Sequence, residues 1–175
     1  MERKRIIEAL LFASHDPLPA SRIQAILESN DRRGVVKDLH DLQREYEELG
    51  KSFHLVEVAE GYQFRTRPEF APWIRRLKRH GGVRLSRASL EVMAIIAYRQ
   101  PVTRSEIEYV RGVDSGAVLR GLLEKGLLRI LGRKDVPGRP LLYGTSRRFL
   151  EVFGLKDLGS LPDLREIDGE RGEGN

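Results

Sequence analysis

The segment of the sequence that comes nearest to a catalytic arrangement is GRKDVPGRP, residues 132–140. Lys134 and Asp135 could in principle transfer protons, which requires that both groups reach the same substrate. Adjacent residues on a loop point apart, and no third group that would complete such a site is indicated. Pro137 and Gly138 instead suit positions i+1 and i+2 of a type II turn. We therefore predict a hairpin loop here, with no catalytic residue.

Metal and nucleophile chemistry has equally little support. The four histidines are scattered, and the nearest two, His40 and His54, lie too far apart in the chain for the i, i+4 spacing of a helical metal site. The absence of cysteine excludes thiolate nucleophiles, sulfur-ligated zinc and disulfides. Phosphate-binding, dinucleotide-binding and nucleophile-elbow motifs are also absent. The sequence predicts a protein that is not an enzyme and that holds no metal or cofactor.

The net positive charge of the chain is compatible with a polyanionic partner such as nucleic acid. Lys and Arg number 31 against 26 Asp and Glu, a net charge of +5. The excess is concentrated in 65–87, where there are eight basic residues and one acid, while 151–175 is acidic. A solvated surface would carry the same charges, so we expect any DNA contact to be weak and independent of sequence. Its candidate residues are Arg75, Arg76, Lys78 and Arg79.

Length and composition describe a soluble globular chain. The 175 residues allow one domain or two small ones, with 40% hydrophobic and 33% charged residues. The longest apolar run is far short of the roughly 18 residues that span a bilayer, and no export signal is recognisable. We therefore expect a cytoplasmic protein that makes no membrane contact.

Hydrophobic periodicity predicts the same order of elements twice. In the first half, two short helices precede an amphipathic helix on which Val35, Leu39, Leu42, Tyr46 and Leu49 share one face. Gly50 ends that helix, and a β-hairpin follows over 53–66. A linking helix over 70–77 and the break at 81–82 then lead into the second half.

The second half carries clear helix signals. Ser86 caps a helix that ends at 100–101, and Thr103 with Glu106 forms a capping box. Asp114 or Ser115 starts a third helix, and the strands 127–131 and 141–145 flank the predicted turn. Three helices followed by a two-stranded ribbon are typical of a winged helix, a helix-turn-helix variant. We predict a mostly helical α+β chain of two tandem winged helices, 1–82 and 83–164, and a disordered acidic tail, 165–175.

The second half contains three characteristic stretches, AIIAYRQPVTRSEIEYVRGV (94–113), GRKDVPGRPLLYGT (132–145) and FGLKDLGSLP (153–162). With these motifs, the second half resembles the segregation and condensation protein B family, ScpB, continuously over 85–164. The first half is similar in IIEALLFAS (6–14) and YQFRTRPEFAPWIRRL (62–77). One departure is Pro19, where the family more often has a Ser that caps the second helix.

The resemblance implies a non-enzymatic, nucleoid-associated subunit of the bacterial SMC condensin complex that supports chromosome condensation and segregation. Such a subunit is expected to form a homodimer and to bind the central part of the kleisin ScpA. A winged-helix DNA-binding transcriptional regulator remains the alternative on fold and charge. The third helices argue against it, because 115–125 offers one Arg and one Lys against a Glu and has no Asn or Gln to read base edges.

Two sets of interface residues follow as predictions. Kleisin segments are expected to be amphipathic helices, which bind grooves with apolar anchors. We expect that groove on the second winged helix, formed by Tyr98, Arg99, Val118, Lys134, Val136 and Arg139. We expect dimerisation through the first winged helix, whose ribbon leaves an edge available for pairing. Its candidate residues are Phe53, Leu55, Tyr62 and Phe64.

Overall fold

A computed structural model describes residues 2–77 and 84–163. Lys78 and Arg79, the break at 81–82 and the predicted tail 165–175 lie outside the described residues. Within them, no helix has the length and apolar content that crossing a membrane requires.

The first half contains three helices and one hairpin. The helices are α1 (Arg3–Ala13), α2 (Ala20–Ile26) and α3 (Arg32–Glu48), and the strands are β1 (Phe53–Val58) and β2 (Gly61–Thr66). The strands pair in antiparallel register from Phe53 opposite Thr66 to Val58 opposite Gly61. An isolated bridge joins Leu18 to Tyr62, so the segment between α1 and α2 extends the ribbon.

The second half repeats this order with one more strand and one more helix. Its helices are α5 (Arg87–Arg99), α6 (Arg104–Arg111), α7 (Gly116–Glu124) and α8 (Arg147–Phe153). Its strands are β3 (Val102–Thr103), β4 (Leu128–Arg133) and β5 (Leu141–Thr145), in the spatial order β3-β5-β4. The predicted tandem winged-helix fold is confirmed.

A 3₁₀ turn (Pro68–Phe70) and helix α4 (Ala71–Leu77) lead out of the first half. Apolar side chains of this segment do not pack tightly, since Trp73 is 63% exposed and Leu77 is 79% exposed. Leu49, predicted on the buried face of α3, is also exposed. The prediction for Leu49 was wrong because α3 ends at Glu48, so the periodicity of its buried face does not extend that far.

Local sequence signals explain the helix ends. The Thr103 hydroxyl accepts from the Glu106 amide while the Glu106 side chain accepts from the Thr103 amide, so the capping box is confirmed. Ser86 caps α5 as predicted. At α2, Pro19 supplies no side-chain cap, as its departure from the family pattern implied. Gly138 has φ of +83° and the Arg139 amide donates to the Val136 carbonyl, which confirms the type II turn.

Each half has its own buried core, and one hairpin joins them. The first core includes Ile7, Ile23 and Leu39, whereas the second, built around Ile96 and Ile107, also includes Val58 and Ala59 from the first half. The turn at Ala59 and Glu60 has positive φ at both positions, 48° and 57°, although neither residue is glycine. This conformation fits the twist of a two-residue hairpin but costs free energy in residues with a Cβ.

Contacts from the second half hold this turn. The Ala59 amide donates to the Leu155 carbonyl at 2.8 Å, and the Glu60 amide donates to the Lys156 carbonyl at 2.8 Å. The Arg147 guanidinium donates from Nε to the Ala59 carbonyl at 2.9 Å. The two winged helices therefore share hydrogen bonds as well as apolar contacts.

Arg147 also reaches a second part of the first half. Its Nη2 donates to the Pro17 carbonyl at 2.7 Å. Arg65 on β2 donates in turn to the Glu151 carbonyl at 3.0 Å. Burial lowers the pKa of Arg65 from its ordinary value. Cationic side chains thus cross the boundary between the halves in both directions.

Candidate protein-interaction surfaces

An apolar cavity of about 310 Å³ lies on the second half. Helix α5 contributes Leu90, Met93 and Tyr98 to its walls, helix α8 contributes Phe149 and Phe153, and the segment after α8 closes it. Leu90 and Phe153 at this cavity are 46% and 41% exposed. An open cavity with apolar walls is suited to an apolar side chain from a partner helix.

Tyr98 is held in place at this cavity. Its hydroxyl donates to the Pro162 carbonyl at 2.7 Å, which fixes the ring against the chain segment that includes Leu161. Arg99 follows it on the solvent side of α5. The predicted pair at the end of this helix therefore combines an apolar wall with an exposed cation, as interface anchors do.

Lys134, Val136 and Arg139 lie on the loop between β4 and β5, the wing of the second half, and do not line this cavity. Lys134 donates to Glu106 at 2.7 Å, at the start of α6. This contact and the two bonds from Thr103 lower the pKa of Glu106 to about 2, with the Lys134 bond the largest cause. Val136 and Arg139 are exposed at the turn of the wing. Lys134 is therefore already paired within the chain.

Val118 completes the predicted kleisin set and lies in a third environment. It is partly buried on α7 and packs against the core of the second half. Tyr98 thus lines the apolar cavity, Lys134 contacts the start of α6, and Val118 packs on the core. A kleisin groove that uses all six predicted residues stays a prediction. Of these three environments, the apolar cavity lined by Tyr98 is the one that can enclose a side chain of a partner protein.

The predicted dimerisation residues divide into buried and accessible pairs. Leu55 and Tyr62 are 4% and 5% exposed within the core of the first half. Their side chains stabilise the monomer itself. Phe53 and Phe64 are partly buried and line two surface cavities beside α1. Dimerisation through this set stays a prediction, and only Phe53 and Phe64 reach the surface to serve it.

An aromatic cluster supports these cavities. The rings of Phe53 and Phe64 are 5.7 Å apart, and Tyr46 on α3 lies 4.8 Å from Phe64, distances that favour edge-to-face contact. The Tyr46 hydroxyl donates to Glu8 on α1 at 2.5 Å. Burial and this carboxylate raise the pKa of Tyr46 to about 12, so it remains a neutral donor. The cluster thereby connects α1, α3 and the hairpin.

Sequence reasoning missed the most exposed apolar residue of this region. Phe12 on α1 is 81% exposed and lines both cavities beside the aromatic cluster. The exposure of Phe12 can be inferred from the sequence, because Ile7 and Leu11 lie on the buried face of α1 and the residue after Leu11 points away from that face.

The structure describes two of the four basic residues that are predicted to contact DNA. Arg75 and Arg76 are exposed at the end of α4, whereas Lys78 and Arg79 lie outside the described residues. DNA contact by these four residues stays a prediction. Among residues 2–77 and 84–163, no group of three or more His, Asp or Glu side chains could hold a metal ion.

The fold and these surfaces define a tandem winged-helix protein whose best-formed cavities are suited to other protein segments. The family described as "Segregation and condensation complex subunit ScpB" matches residues 5–164. "Segregation and condensation protein B" of Syntrophotalea carbinolica is 57% identical over 167 residues, which cover 95% of this chain and 84% of that protein. The protein of that name from Desulforamulus reducens is 44% identical, with coverage of 97% and 94%. The chain therefore belongs to the ScpB family.

Solved structures of similar sequence are known. A crystal structure of ScpB from Mycobacterium tuberculosis is 36% identical, covers 88% of this chain and 96% of that chain, and has a TM-score of 0.42. A second crystal structure, a dimer of an ScpB N-terminal domain complexed with an ScpA peptide, is 33% identical. It covers 42% of this chain and 91% of that chain, with a TM-score of 0.39.

Proposed function

We propose that this chain is a non-enzymatic subunit of the SMC–ScpA–ScpB complex, that it forms a homodimer and that it binds the kleisin ScpA. Membership of the ScpB family supports the assignment to a segregation and condensation complex. In this proposal the protein acts in the cytoplasm, in association with the nucleoid. Its contribution to the complex is contact between proteins, and any nucleotide chemistry belongs to the SMC partner.

The apolar cavity on the second half carries the proposal for kleisin binding. Its walls come from two helices and a closing segment, and they form an apolar recess that can accept the apolar anchor of an amphipathic helix. Arg99, the exposed residue that follows the cavity residue Tyr98, can meet a carboxylate on the polar face of such a helix. An apolar residue of ScpA would bury Leu90 and Phe153.

Binding calorimetry with ScpA tests this site. Leu90→Glu places a charge on the cavity wall, and we expect it to weaken ScpA binding by about 1–3 kcal/mol, as the loss of an interface anchor does. Tyr98→Phe keeps the ring but removes its bond to Pro162. We expect the smaller loss from Tyr98→Phe, because the apolar wall survives.

Tyr109→Glu is the matched control. Tyr109 is 89% exposed on α6 and does not line this cavity. It should change neither ScpA affinity nor melting temperature. Full ScpA affinity in Leu90→Glu, with loss in variants of the first half, would contradict the assignment to this cavity. Nanomolar binding to one DNA sequence at physiological salt, without ScpA binding, would contradict the proposed function as a whole.

A further inference from the structure

Two of the three walls of the apolar cavity also contact the first half of the chain. These walls are helix α8 and the segment after it, residues 154–162, which we call the strap, whereas α5 forms the third wall. Leu155 of the strap lines the cavity, and its carbonyl accepts from the Ala59 amide at 2.8 Å. A single residue therefore contacts both the cavity and the turn of the first hairpin.

Helix α8 is attached to the first half at two points. At its first residue, Arg147 donates to the Ala59 carbonyl at 2.9 Å and to the Pro17 carbonyl at 2.7 Å. Further along the helix, the Glu151 carbonyl accepts from Arg65 of β2 at 3.0 Å. The helix that these bonds hold contributes two aromatic rings to the cavity wall.

The strap is anchored near both of its ends. Near its start, the Lys156 carbonyl accepts from the Glu60 amide at 2.8 Å, and the Lys156 ammonium lies 3.0 Å from the Glu57 carboxylate. At its other end, the Pro162 carbonyl accepts from the Tyr98 hydroxyl at 2.7 Å. The first anchor belongs to the first half and the second to α5. A displacement of the strap therefore alters the cavity and the contact between the halves together.

The turn at Ala59 and Glu60 gives this arrangement two distinct states. Both residues have positive φ, 48° and 57°, which costs free energy in residues with a Cβ. In the docked state, hydrogen bonds to the strap and from Arg147 offset this cost. In the undocked state, the turn loses these bonds and two walls of the cavity lose their support.

We infer that Arg147 is a positioning residue for the partner site, and that binding in the cavity is linked to docking of the first hairpin on the strap. A partner side chain in the cavity contacts α5, α8 and the strap at once, which favours the docked state. Because linkage is reciprocal, docking of the turn raises the affinity for the partner by the same factor. The inference rests on the proposed binding of ScpA in this cavity and adds that the first half regulates it.

Binding calorimetry of the full chain with ScpA provides the first test. Arg147→Met removes the donors to both carbonyls but keeps an unbranched apolar side chain. We expect ScpA affinity to fall by at least about 5-fold, the lower end of common coupling strengths, although Arg147 does not line the cavity. The measurement is made at a temperature at which circular dichroism shows the variant to be folded, so a loss of stability alone does not change the affinity.

Arg148→Met is the matched control for this test. Arg148 is the next residue of α8, and it does not line the cavity either. Its side chain makes no hydrogen bond or ion pair with any other described residue. This variant should bind ScpA with unchanged affinity.

A cavity-filling substitution tests the linkage without ScpA. Ala94 is exposed on α5 and lines the cavity, so Ala94→Phe places a ring in the recess from within the chain. The ring should favour the docked state, and hydrogen exchange of the Ala59 and Glu60 amides should slow by at least about 5-fold. Ala117→Phe adds the same ring at an exposed site on α7 outside the cavity, and should leave this exchange unchanged.

The outcomes separate this inference from the proposed function. If the unmodified chain does not bind ScpA, or if Leu90→Glu binds it with full affinity, the proposed site is wrong. If Leu90→Glu loses affinity while Arg147→Met retains it, the site stands and the inference is overturned. If Arg147→Met loses affinity but Ala94→Phe does not slow exchange at the turn, Arg147 contacts ScpA directly and the inference is again wrong.

Discussion

The two winged helices share an order of elements but differ in how many of their helices begin at a side-chain cap. In the second half, side-chain caps begin three helices, α5, α6 and α8. Helix α7 has no such bond from its N-cap residue Ser115. In the first half, Asp31 caps α3, whereas α1 and α2 have no side-chain cap. Ion pairs from Arg3 and Lys4 instead connect α1 to the α3 side chains of Asp38 and Glu45.

This difference bears on which half is the more robust. A cap satisfies a backbone donor that would otherwise lack a partner in the helix, and it contributes about 1 kcal/mol. Ion pairs near the surface contribute less, typically below about 1 kcal/mol. The core of the second half nevertheless includes Val58 and Ala59 from the first. The half with weaker local signals thus helps to complete the core of the other.

The largest expected effect comes from core truncation, which tests whether the halves unfold together. Leu39→Ala in the first half and Ile107→Ala in the second remove side chains with 0% exposure. Each should lower the free energy of unfolding by about 2–5 kcal/mol. Because Val58 and Ala59 join the cores, hydrogen exchange should speed up in both halves of each variant.

Leu49→Ala is the control for this experiment. Leu49 is 63% exposed, so the same truncation should cost less than about 0.5 kcal/mol. Faster exchange confined to the mutated half would show that the two cores are energetically separate, whatever contacts they share.

The next effect concerns the hydrogen bonds between the halves. Arg147→Ala removes the donors to the Ala59 and Pro17 carbonyls, and should cost about 1–3 kcal/mol. Arg148→Ala is the matched control, because the Arg148 side chain makes no hydrogen bond or ion pair with any other described residue. Chemical denaturation of both variants measures the difference. Equal stability would show that apolar contact alone holds the halves together.

The smallest expected effect is the pH dependence of the stability that the α6 cap contributes. The pKa of Glu106, held at about 2, lies below its ordinary value of 4.5. Its contribution is therefore complete above about pH 4.5 and is lost as the pH falls toward 2. Since its side chain is 46% exposed, we expect at most about 1 kcal/mol.

Glu106→Gln tests this contribution, since glutamine retains a capping oxygen but does not ionise there. Melting temperature should fall less steeply between pH 4.5 and 2 in this variant than in the unmodified chain. Glu124→Gln, at an exposed carboxylate without a polar partner among the described residues, should leave the slope unchanged. Identical slopes in all three proteins would remove Glu106 from the acid response.

Local signals in the sequence were sufficient for the helix ends but not for contacts between the halves. Thr103 and Glu106 specify a cap through neighbouring atoms alone, and Pro137-Gly138 specifies a turn in the same way. The turn at Ala59 and Glu60 has no such signature, because neither residue favours positive φ. Its conformation depends on carbonyls of residues 155 and 156, which no local pattern could reveal.

The candidate surfaces were predictable only in part, because residue type and position in the chain are local signals, whereas burial depends on tertiary packing. Tyr98 was recognised from its residue type and its place at a helix end, and it lines the apolar cavity. Phe53 and Phe64 were likewise identified as interface candidates. Leu55 and Tyr62 were grouped with them because all four lie on one face of the hairpin, and alternation along a strand does not show how much of that face the helices cover. Tertiary packing decides that, and it places both residues in the core.

Gly61 shows how a residue without a side chain can limit the substitutions that a protein tolerates. A Cβ built at this position would lie 2.9 Å from the carbonyl carbons of both Pro17 and Leu18. The backbone of Pro17 and Leu18, in the segment between α1 and α2, therefore occupies the space in which any other residue at position 61 would begin its side chain. In a library that randomises every codon, position 61 should accept glycine alone. Glu60 beside it is exposed and already at positive φ, so glycine or asparagine at position 60 should raise the thermal tolerance.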